Sequence, residues 1–118
     1  MAKSTRTPPE DDLSMRIRRL NDAFRKTLIG GTLVLTSGIV ALGSEKQQRV
    51  IAAVQAFDAF DGDNDPWHEH DMGALDIDGE RVFFKIDYYD LTKAMHSDDP
   101  ADASVTERVM TIMLAWEY

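Results

Sequence analysis

The chain has 118 residues, no cysteine and a net charge of −8. The length is typical of one domain, and an apolar fraction of 43% is enough for a hydrophobic core, which excludes wholesale disorder. The absence of cysteine excludes disulfides, thiolate zinc sites and a cysteine nucleophile. Because no stretch has the pattern of a signal peptide or the length of a membrane span, we expect a cytoplasmic protein of bacterial type without membrane association.

The negative charge is concentrated after residue 30. Residues 1–30 contain seven Lys or Arg and four acids, whereas residues 31–118 contain six basic and seventeen acidic residues. Between Asp58 and Glu80 the sequence has nine acids and no Lys or Arg. Such a body repels nucleic acid and attracts cations or basic protein surfaces, so we expect no direct binding of nucleic acid.

Residues 1–12 contain prolines and consecutive acids and predict a flexible N-terminal tail, followed by one domain over residues 13–118. Apolar residues at helical spacing from Leu13 to Leu28 predict an amphipathic helix that ends at Gly30 and Gly31. Four arginines lie between these apolar positions and predict a solvated basic face, with a partner site as the alternative: Arg16, Arg18, Arg19 and Arg25.

The segment 32–36 has the β-branched and aliphatic residues of a strand, which Ser37 and Gly38 interrupt. Residues 39–42 then predict either a returning strand or an extended lead into the next element. Ser44 and Gln47 have the spacing of a capping box, which predicts a second helix that ends near Phe60.

Asp78 and Gly79 predict a two-residue hairpin of type I′. In its register Ile77 pairs with Glu80 and Leu75 with Val82, so that alternate residues of the second strand share one apolar face. For residues 105–116 a capping box favours a helix and a run of β-branched and apolar residues favours a strand, and we choose the strand. The predicted fold is α+β, with two helices packed on a mainly antiparallel sheet of three to five short strands.

Several short motifs occur in a distinctive order: Leu20-Asn21-Asp22 with Phe24-Arg25; Leu35-Thr36-Ser37-Gly38; Asn64-Asp65-Pro66 with Glu69-His70-Asp71 and Gly73; Lys85-Ile86-Asp87-Tyr88-Tyr89-Asp90; and Arg108-Val109-Met110-Thr111-Ile112-Met113-Leu114-Ala115 with Glu117-Tyr118. From about Ile17 to Tyr118 the chain resembles a small bacterial family, the domain of unknown function number 3768. The resemblance implies an association with plasmids and other mobile elements. It implies no activity, so no functional residue follows from it.

The acidic segment 61–71 contains the candidate metal ligands. His68 and His70 would project on one side of an extended segment, with Asp71 or Asp87 as a third ligand for a divalent transition metal. Asp61, Asp63 and Asp65 also have the spacing of a calcium loop, but Pro66 and Met72 stand where that loop needs glycine and glutamate. The alternative is a structural role, in which an imidazole binds a backbone carbonyl or a carboxylate and no cofactor is present.

The same segment is the candidate partner surface. Aromatic side chains beside carboxylates suit a surface that receives basic protein side chains, and the residues predicted for it are Asp61, Asp63, Asp65, Trp67 and Glu69. No phosphate loop or nucleophile elbow is present, so no catalytic residue is predicted. We therefore expect a non-enzymatic acidic regulatory protein that binds a basic protein, such as a DNA-mimicking inhibitor of host defence carried by a mobile element. The alternative is a metal-dependent enzyme or metal-binding regulator that uses His68, His70 and Asp71.

Overall fold

The computed structural model describes residues 12–118. The predicted tail of residues 1–12 lies outside the described residues, apart from Asp12. The elements in chain order are α1 (Leu13–Thr27), β1 (Gly31–Leu35), α2 (Ser37–Val40), α3 (Ser44–Ala56), β2 (Met72–Ile77), β3 (Glu80–Tyr89), β4 (Glu107–Leu114) and a 3-10 turn (Ala115–Glu117). The α+β class is confirmed, with three helices in the described part of the chain where two were predicted.

The four strands form one open sheet in the order β1-β4-β3-β2. β3 runs antiparallel to both of its neighbours, and β1 runs parallel to β4. The predicted hairpin is confirmed in its register, since Ile77 pairs with Glu80 and Leu75 with Val82. Asp78 and Gly79 both have the positive φ that a type I′ turn requires, at 51° and 83°.

The hydrophobic core lies between the helices and one face of the sheet. Alternate residues of β3 are buried on that face, as the predicted register requires. The helices contribute Ile17 and Phe24 from α1 and Val50 and Val54 from α3. On the opposite face the side chains are mostly half-buried, and the ring of Tyr118 contacts Phe83 with a centroid distance of 5.5 Å.

The helix predicted from Leu13 is confirmed, but one of its arginines does not face solvent. Arg16 and Arg19 are exposed, whereas the side chain of Arg25 is only 1% exposed and lies on the buried side of the helix. The helix ends at Thr27, and Leu28 takes the left-handed conformation whose amide donates to the carbonyl of Phe24. The prediction placed Arg25 on the solvated face because of its charge, although its position four residues after the buried Asn21 lies on the buried side of the helix.

Residues 37–40 form a short helix, so the predicted strand or extended lead at 39–42 is wrong. The carboxylate of Glu117, which is distant in sequence, holds the first residues of this helix in place. It accepts hydrogen bonds from the Thr36 hydroxyl at 2.6 Å and from the Gly38 and Leu114 amides at 2.9 Å each. These donors lower the pKa of Glu117, the Thr36 hydroxyl most of all. Because the acceptor is remote in sequence, no local pattern indicated this helix.

The second predicted helix begins where the sequence indicated but is held differently. α3 starts at Ser44, the residue before it is Gly43, and no side chain caps it. Gln47 donates to the carbonyl of Val40 instead, so the predicted capping box is absent, and the helix ends at Ala56 rather than near Phe60. The terminal segment is confirmed as a strand, β4. Within residues 12–118, no helix is both long enough and apolar enough to cross a membrane.

Candidate functional site

A buried polar network joins α1 to the sheet. Asn21 is fully buried, and its amide nitrogen donates to the Tyr88 hydroxyl at 2.8 Å and to the carbonyl of Glu69 at 3.0 Å. Its amide oxygen accepts from Nε of Arg108 at 2.8 Å. The residues Asn21, Glu69, Tyr88 and Arg108, called here the Asn21 network, therefore connect one helix, two strands and one loop through a single amide.

The outer members of this network hold two long loops. The Tyr88 hydroxyl donates to the Glu69 carboxylate at 2.7 Å, and the Arg108 guanidinium donates to the carbonyl of Pro100 and lies 5.2 Å from the Tyr88 ring centroid. Burial raises the pKa of Tyr88 and lowers that of Arg108. The loop 57–71 and the loop 90–106 are thus attached to the same buried side chains.

A second group of contacts fixes His70, and we call it the His70 cluster. Nδ1 of His70 lies 2.9 Å from a carboxylate oxygen of Asp22, and Nε2 lies 3.6 Å from a carboxylate oxygen of Asp65. Phe60 stacks on the imidazole with a centroid distance of 3.9 Å, and Arg25 donates to the same oxygen of Asp22 at 2.9 Å. A carboxylate therefore faces each ring nitrogen of the imidazole.

The side chain of Arg25 contacts Asp22 of the His70 cluster and lines a cavity. It also donates to the carbonyl of Phe57 at 3.2 Å, and its guanidinium lies over the Phe60 and Phe84 rings at 5.1 and 6.0 Å. Its Nε is the one buried side-chain polar atom without a hydrogen-bond partner among residues 12–118. The cavity has a volume of about 300 Å³. Its lining residues are Asp22, Arg25, Lys26, Gln55, Ala56, Phe57, Asp58, Phe60 and His70.

The candidate metal ligands are not brought together. His68 and His70 both have left-handed backbone conformations, with φ of 61° and 56°, so they do not lie on the extended segment that the prediction assumed. His68 is exposed, whereas His70 is half-buried in the His70 cluster. Over residues 12–118 the structure has no group of three or more His, Asp or Glu side chains arranged to hold a metal ion.

Of the candidate partner residues, three face solvent and two face inward. Asp61, Asp63 and Trp67 are exposed. Asp65 is buried and accepts from the His70 amide at 2.9 Å, and half-buried Glu69 is used in the Asn21 network. The inward pair hold the loop in shape, and the other three lie on its surface.

The carboxylate of Asp71 shows how strongly negative charge accumulates here. Burial, followed by repulsion from Glu69, Asp65 and Asp87, raises the pKa of Asp71 from 3.8 to about 6. Burial and three neighbouring carboxylates together make the ionised form of Asp71 costly. The loop 57–71 is held in place despite this repulsion by its contacts with Asn21, Asp22 and Arg25 of α1.

Sheet topology brings the two attached loops to one end of the molecule. The loop 57–71 precedes β2, and the loop 90–106 joins the end of β3 to the start of β4, so both lie at the same end of the sheet. We call these two loops the acidic end. They contain ten acids and one basic residue, Lys93. The acids are Asp58, Asp61, Asp63, Asp65, Glu69, Asp71, Asp90, Asp98, Asp99 and Asp102.

The acidic end also exposes large apolar side chains. Trp67 is 71% exposed, Met95 70% and Leu91 62%. Val105 of the same loops and Ile29 in the turn before β1 are exposed as well. Carboxylates and large apolar side chains are therefore both exposed at this end of the sheet.

The motifs of the sequence contained the missed residues without revealing their roles. Asn21, Tyr88 and Arg108 each belong to a different one of the ordered motifs, and the fold brings all three together. A signal was present in Asn21, which is polar at a position four residues from the buried Ile17 on the apolar side of α1. A polar residue at such a position indicates a buried hydrogen-bond network.

A family model described as "Protein of unknown function (DUF3768)" matches residues 35–117. The chain belongs to this family. The matched region of this DUF3768 protein includes both loops of the acidic end, together with Tyr88, Arg108 and the Glu117 contacts, whereas Asn21 and Arg25 precede it. No curated protein and no solved structure matches the chain.

Proposed function

We propose that this DUF3768 protein is a non-enzymatic regulatory protein that binds a basic protein partner in the bacterial cytoplasm through its acidic end. The observation that carries the proposal is the concentration of ten acids and several exposed apolar side chains on two loops that share one buried anchor. Carboxylates supply complementarity to Lys and Arg, and the apolar side chains supply contact area.

Charge pairing differs between the two ends of the sheet. Near the hairpin the acids have basic partners: Asp78 lies 2.7 Å from Arg49, Asp76 lies 3.1 Å from Arg81, and Glu80 lies 3.9 Å from Lys46. At the acidic end the exposed carboxylates of Asp58, Asp61, Asp63, Asp98, Asp99 and Asp102 form no ion pair within residues 12–118. The unpaired charge supports attraction of a basic surface to this end.

The exposed side chains Trp67, Met95 and Leu91 support a protein partner rather than attraction of small cations alone. Tryptophan and methionine are enriched at the centre of protein interfaces, where charged residues are depleted. A surface that served only solubility would gain nothing from exposing them. A partner with Lys or Arg around an apolar patch would match both parts.

One specific form of this function is mimicry of DNA. A nucleic-acid-binding protein presents a basic groove, and the exposed carboxylates of two loops can occupy it in place of phosphates. The family resemblance implies an association with mobile elements. We therefore propose that the protein acts as such a mimic and inhibits a host defence protein. The exposed carboxylates would then compete directly with DNA for the partner.

The test uses a variant that removes charge while it preserves the turns. The carboxylates of Asp61, Asp99 and Asp102 each accept local backbone amides, which an asparagine side chain also does. The tagged chain and the triple variant Asp61→Asn, Asp99→Asn, Asp102→Asn are used to capture proteins from a bacterial lysate at 50 and 500 mM NaCl. We expect the unmodified chain to retain a basic protein at low salt only, and the variant to lose it.

The matched control removes three charges near the hairpin, with Glu45→Gln, Asp78→Asn and Glu80→Gln. This control should retain the same partner as the unmodified chain, because the acidic end is intact. If the acidic-end variant captures the same proteins at the same salt as the unmodified chain, the proposal is wrong. Competition between the captured protein and duplex DNA then distinguishes mimicry from other regulation.

A further inference from the structure

β2 is an edge strand with unused backbone groups. It pairs only with β3 in the described sheet, and the Ile86 amide donates to the Asp71 carbonyl at 2.8 Å. In an antiparallel ladder, every second residue of a strand directs its amide and carbonyl groups toward the paired strand. Counted from the bond at Asp71, every second residue of β2 therefore faces β3. The other residues of β2 direct theirs outward, and no hydrogen bond among residues 12–118 reaches the outward backbone groups of Met72, Ala74 and Asp76.

This edge lacks several of the features that usually block pairing with another chain. Natural edge strands are protected by proline, lysine, bulges or a covering element. β2 has the sequence Met72-Gly73-Ala74-Leu75-Asp76-Ile77, without proline, lysine or a bulge in its register. Its one charged residue is Asp76, whose exposed carboxylate lies 3.1 Å from Arg81 of β3.

A pocket of about 190 Å³ opens beside the same strand. Its walls are mainly apolar, and the exposed Asp63 stands among its lining residues without a hydrogen bond to its carboxylate within residues 12–118. The lining residues are Asp63, Asn64, Met72, Gly73, Ala74 and Phe83. The apolar walls suit the aliphatic stem of a Lys or Arg side chain, and the carboxylate of Asp63 suits the charged head at its end.

We propose that an extended segment of a basic protein partner adds to the sheet as a fifth strand along β2. Its backbone pairs with Met72, Ala74 and Asp76, and one Lys or Arg side chain occupies the pocket beside Asp63. The inference rests on the proposed function and deepens it, because it gives the bound part of the partner a conformation and a composition. Backbone pairing supplies affinity, and the pocket and its carboxylate select the side chain.

The probes are two labelled hexapeptides of equal charge. One alternates lysine with valine and can form a strand, and the other alternates lysine with proline and cannot. Attraction to the acidic end alone binds both peptides equally, whereas strand addition requires the first. In fluorescence anisotropy at 50 mM NaCl we expect the valine peptide to bind at least tenfold more tightly.

The matched variants are Asp76→Pro and Asp76→Thr. Both remove the same carboxylate, but only proline removes the outward amide, and the ladder to β3 uses Leu75 and Ile77. Asp76→Pro should abolish the preference for the valine peptide, and Asp76→Thr should retain it. Hydrogen exchange measured by NMR should show the Met72, Ala74 and Asp76 amides protected only when the valine peptide is bound.

Each of the other possible results would contradict strand addition and would point to a different explanation. Equal binding of both peptides that the triple Asp→Asn variant weakens would leave the acidic-partner function standing without a strand. If neither peptide binds, the edge is not a site for a basic strand, and capture from the lysate still tests the function. Protection of the three amides without peptide, together with a dimer in sedimentation, would assign β2 to a second copy of the chain.

Discussion

At the scale of single residues, the polar interior explains how the loops are held. Asn21 and Arg108 are separated by 87 residues and meet in a buried hydrogen bond. Each group in this bond lost its water on folding, so each depends on the other for compensation. Arg25 is less completely compensated, because its Nε has no partner, but the two aromatic rings beneath it offset part of that cost.

Asn21→Ala should destabilise the protein by about 3 kcal/mol, because it leaves the Arg108 Nε, the Glu69 carbonyl and the Tyr88 hydroxyl each without one buried partner. Urea denaturation measures the free energy of unfolding. Gln48→Ala, at an exposed position of α3, is the control and should change that energy by less than about 0.5 kcal/mol. Similar values for the two variants would show that the Asn21 network contributes little to stability.

Asp71→Asn should change the dependence of stability on pH. The folded pKa of Asp71, about 6, lies above the ordinary value of 3.8, so the folded state binds the proton more tightly and stability rises as the pH falls from 6 to 4. Above pH 6 the ionised carboxylate of Asp71 lowers the free energy of unfolding of the wild type, and the variant lacks this destabilisation. Because Asp71 is only half-buried, we expect the variant to be more stable by about 1 kcal/mol at pH 7.5, less than the full shift would give.

The advantage of Asp71→Asn should disappear near pH 4, where the folded wild type carries a protonated Asp71. Urea denaturation at pH 7.5 and at pH 4 measures the difference in the free energy of unfolding between the variant and the wild type. Asp98→Asn, which removes an exposed carboxylate from the loop 90–106, is the matched control and should show no such change between the two values. An advantage that is equal at both pH values would contradict the raised pKa.

Sequence reasoning located the exposed candidate residues but not the buried ones. Asp61, Asp63 and Trp67 were predicted from local composition, and their exposure depends on little else. Arg25 and Arg108 carry charges that usually indicate a surface, and their burial depends on aromatic rings and carbonyls that are distant in sequence. The roles of Asn21 and Tyr88 could not be predicted for the same reason, since their partners come from other elements.

At the scale of elements, the accuracy of each prediction followed the range of the contacts that form the element. The hairpin was predicted to the residue because Asp78 and Gly79 determine it locally. The strand β4 competed with a helix in the sequence, and pairing on both sides, with β1 and β3, determined the outcome. The short helix α2 was missed because its hydrogen bonds to Glu117 span about 80 residues.

Gly73→Ala tests how closely β2 packs against the core. A Cβ at this position would lie 2.5 Å from the Phe84 ring and 2.7 Å from the Phe57 ring, so both rings would have to move. We expect a loss of at least about 2 kcal/mol in the free energy of unfolding, measured in urea. Gly62→Ala is the matched control, because nothing lies within 4 Å of its added Cβ. A neutral effect of Gly73→Ala would mean that the strand can move away from the rings.

At the scale of the whole molecule, unpaired negative charge should make stability depend on salt. Screening weakens the repulsion among the carboxylates of the acidic end, so raising NaCl from 20 to 300 mM should increase Tm by about 4 °C, which corresponds to about 1 kcal/mol. Differential scanning calorimetry measures this shift. The triple variant Asp61→Asn, Asp99→Asn, Asp102→Asn should show a smaller increase, and the hairpin triple variant should match the wild type. Equal increases for all three proteins would assign the effect to general salt stabilisation.

The parallel pairing of β1 with β4 has a consequence for how the protein is made. The ribosome synthesises the apolar strand Thr32-Leu33-Val34-Leu35 early, but its sheet neighbour begins only at Glu107. Until then the nascent β1 has two unpaired edges, and its closing contact, Thr36 with Glu117, is 81 residues away. Native pairing of β1 therefore waits for the synthesis of β4, and until then this strand is a segment that a chaperone would have reason to cover.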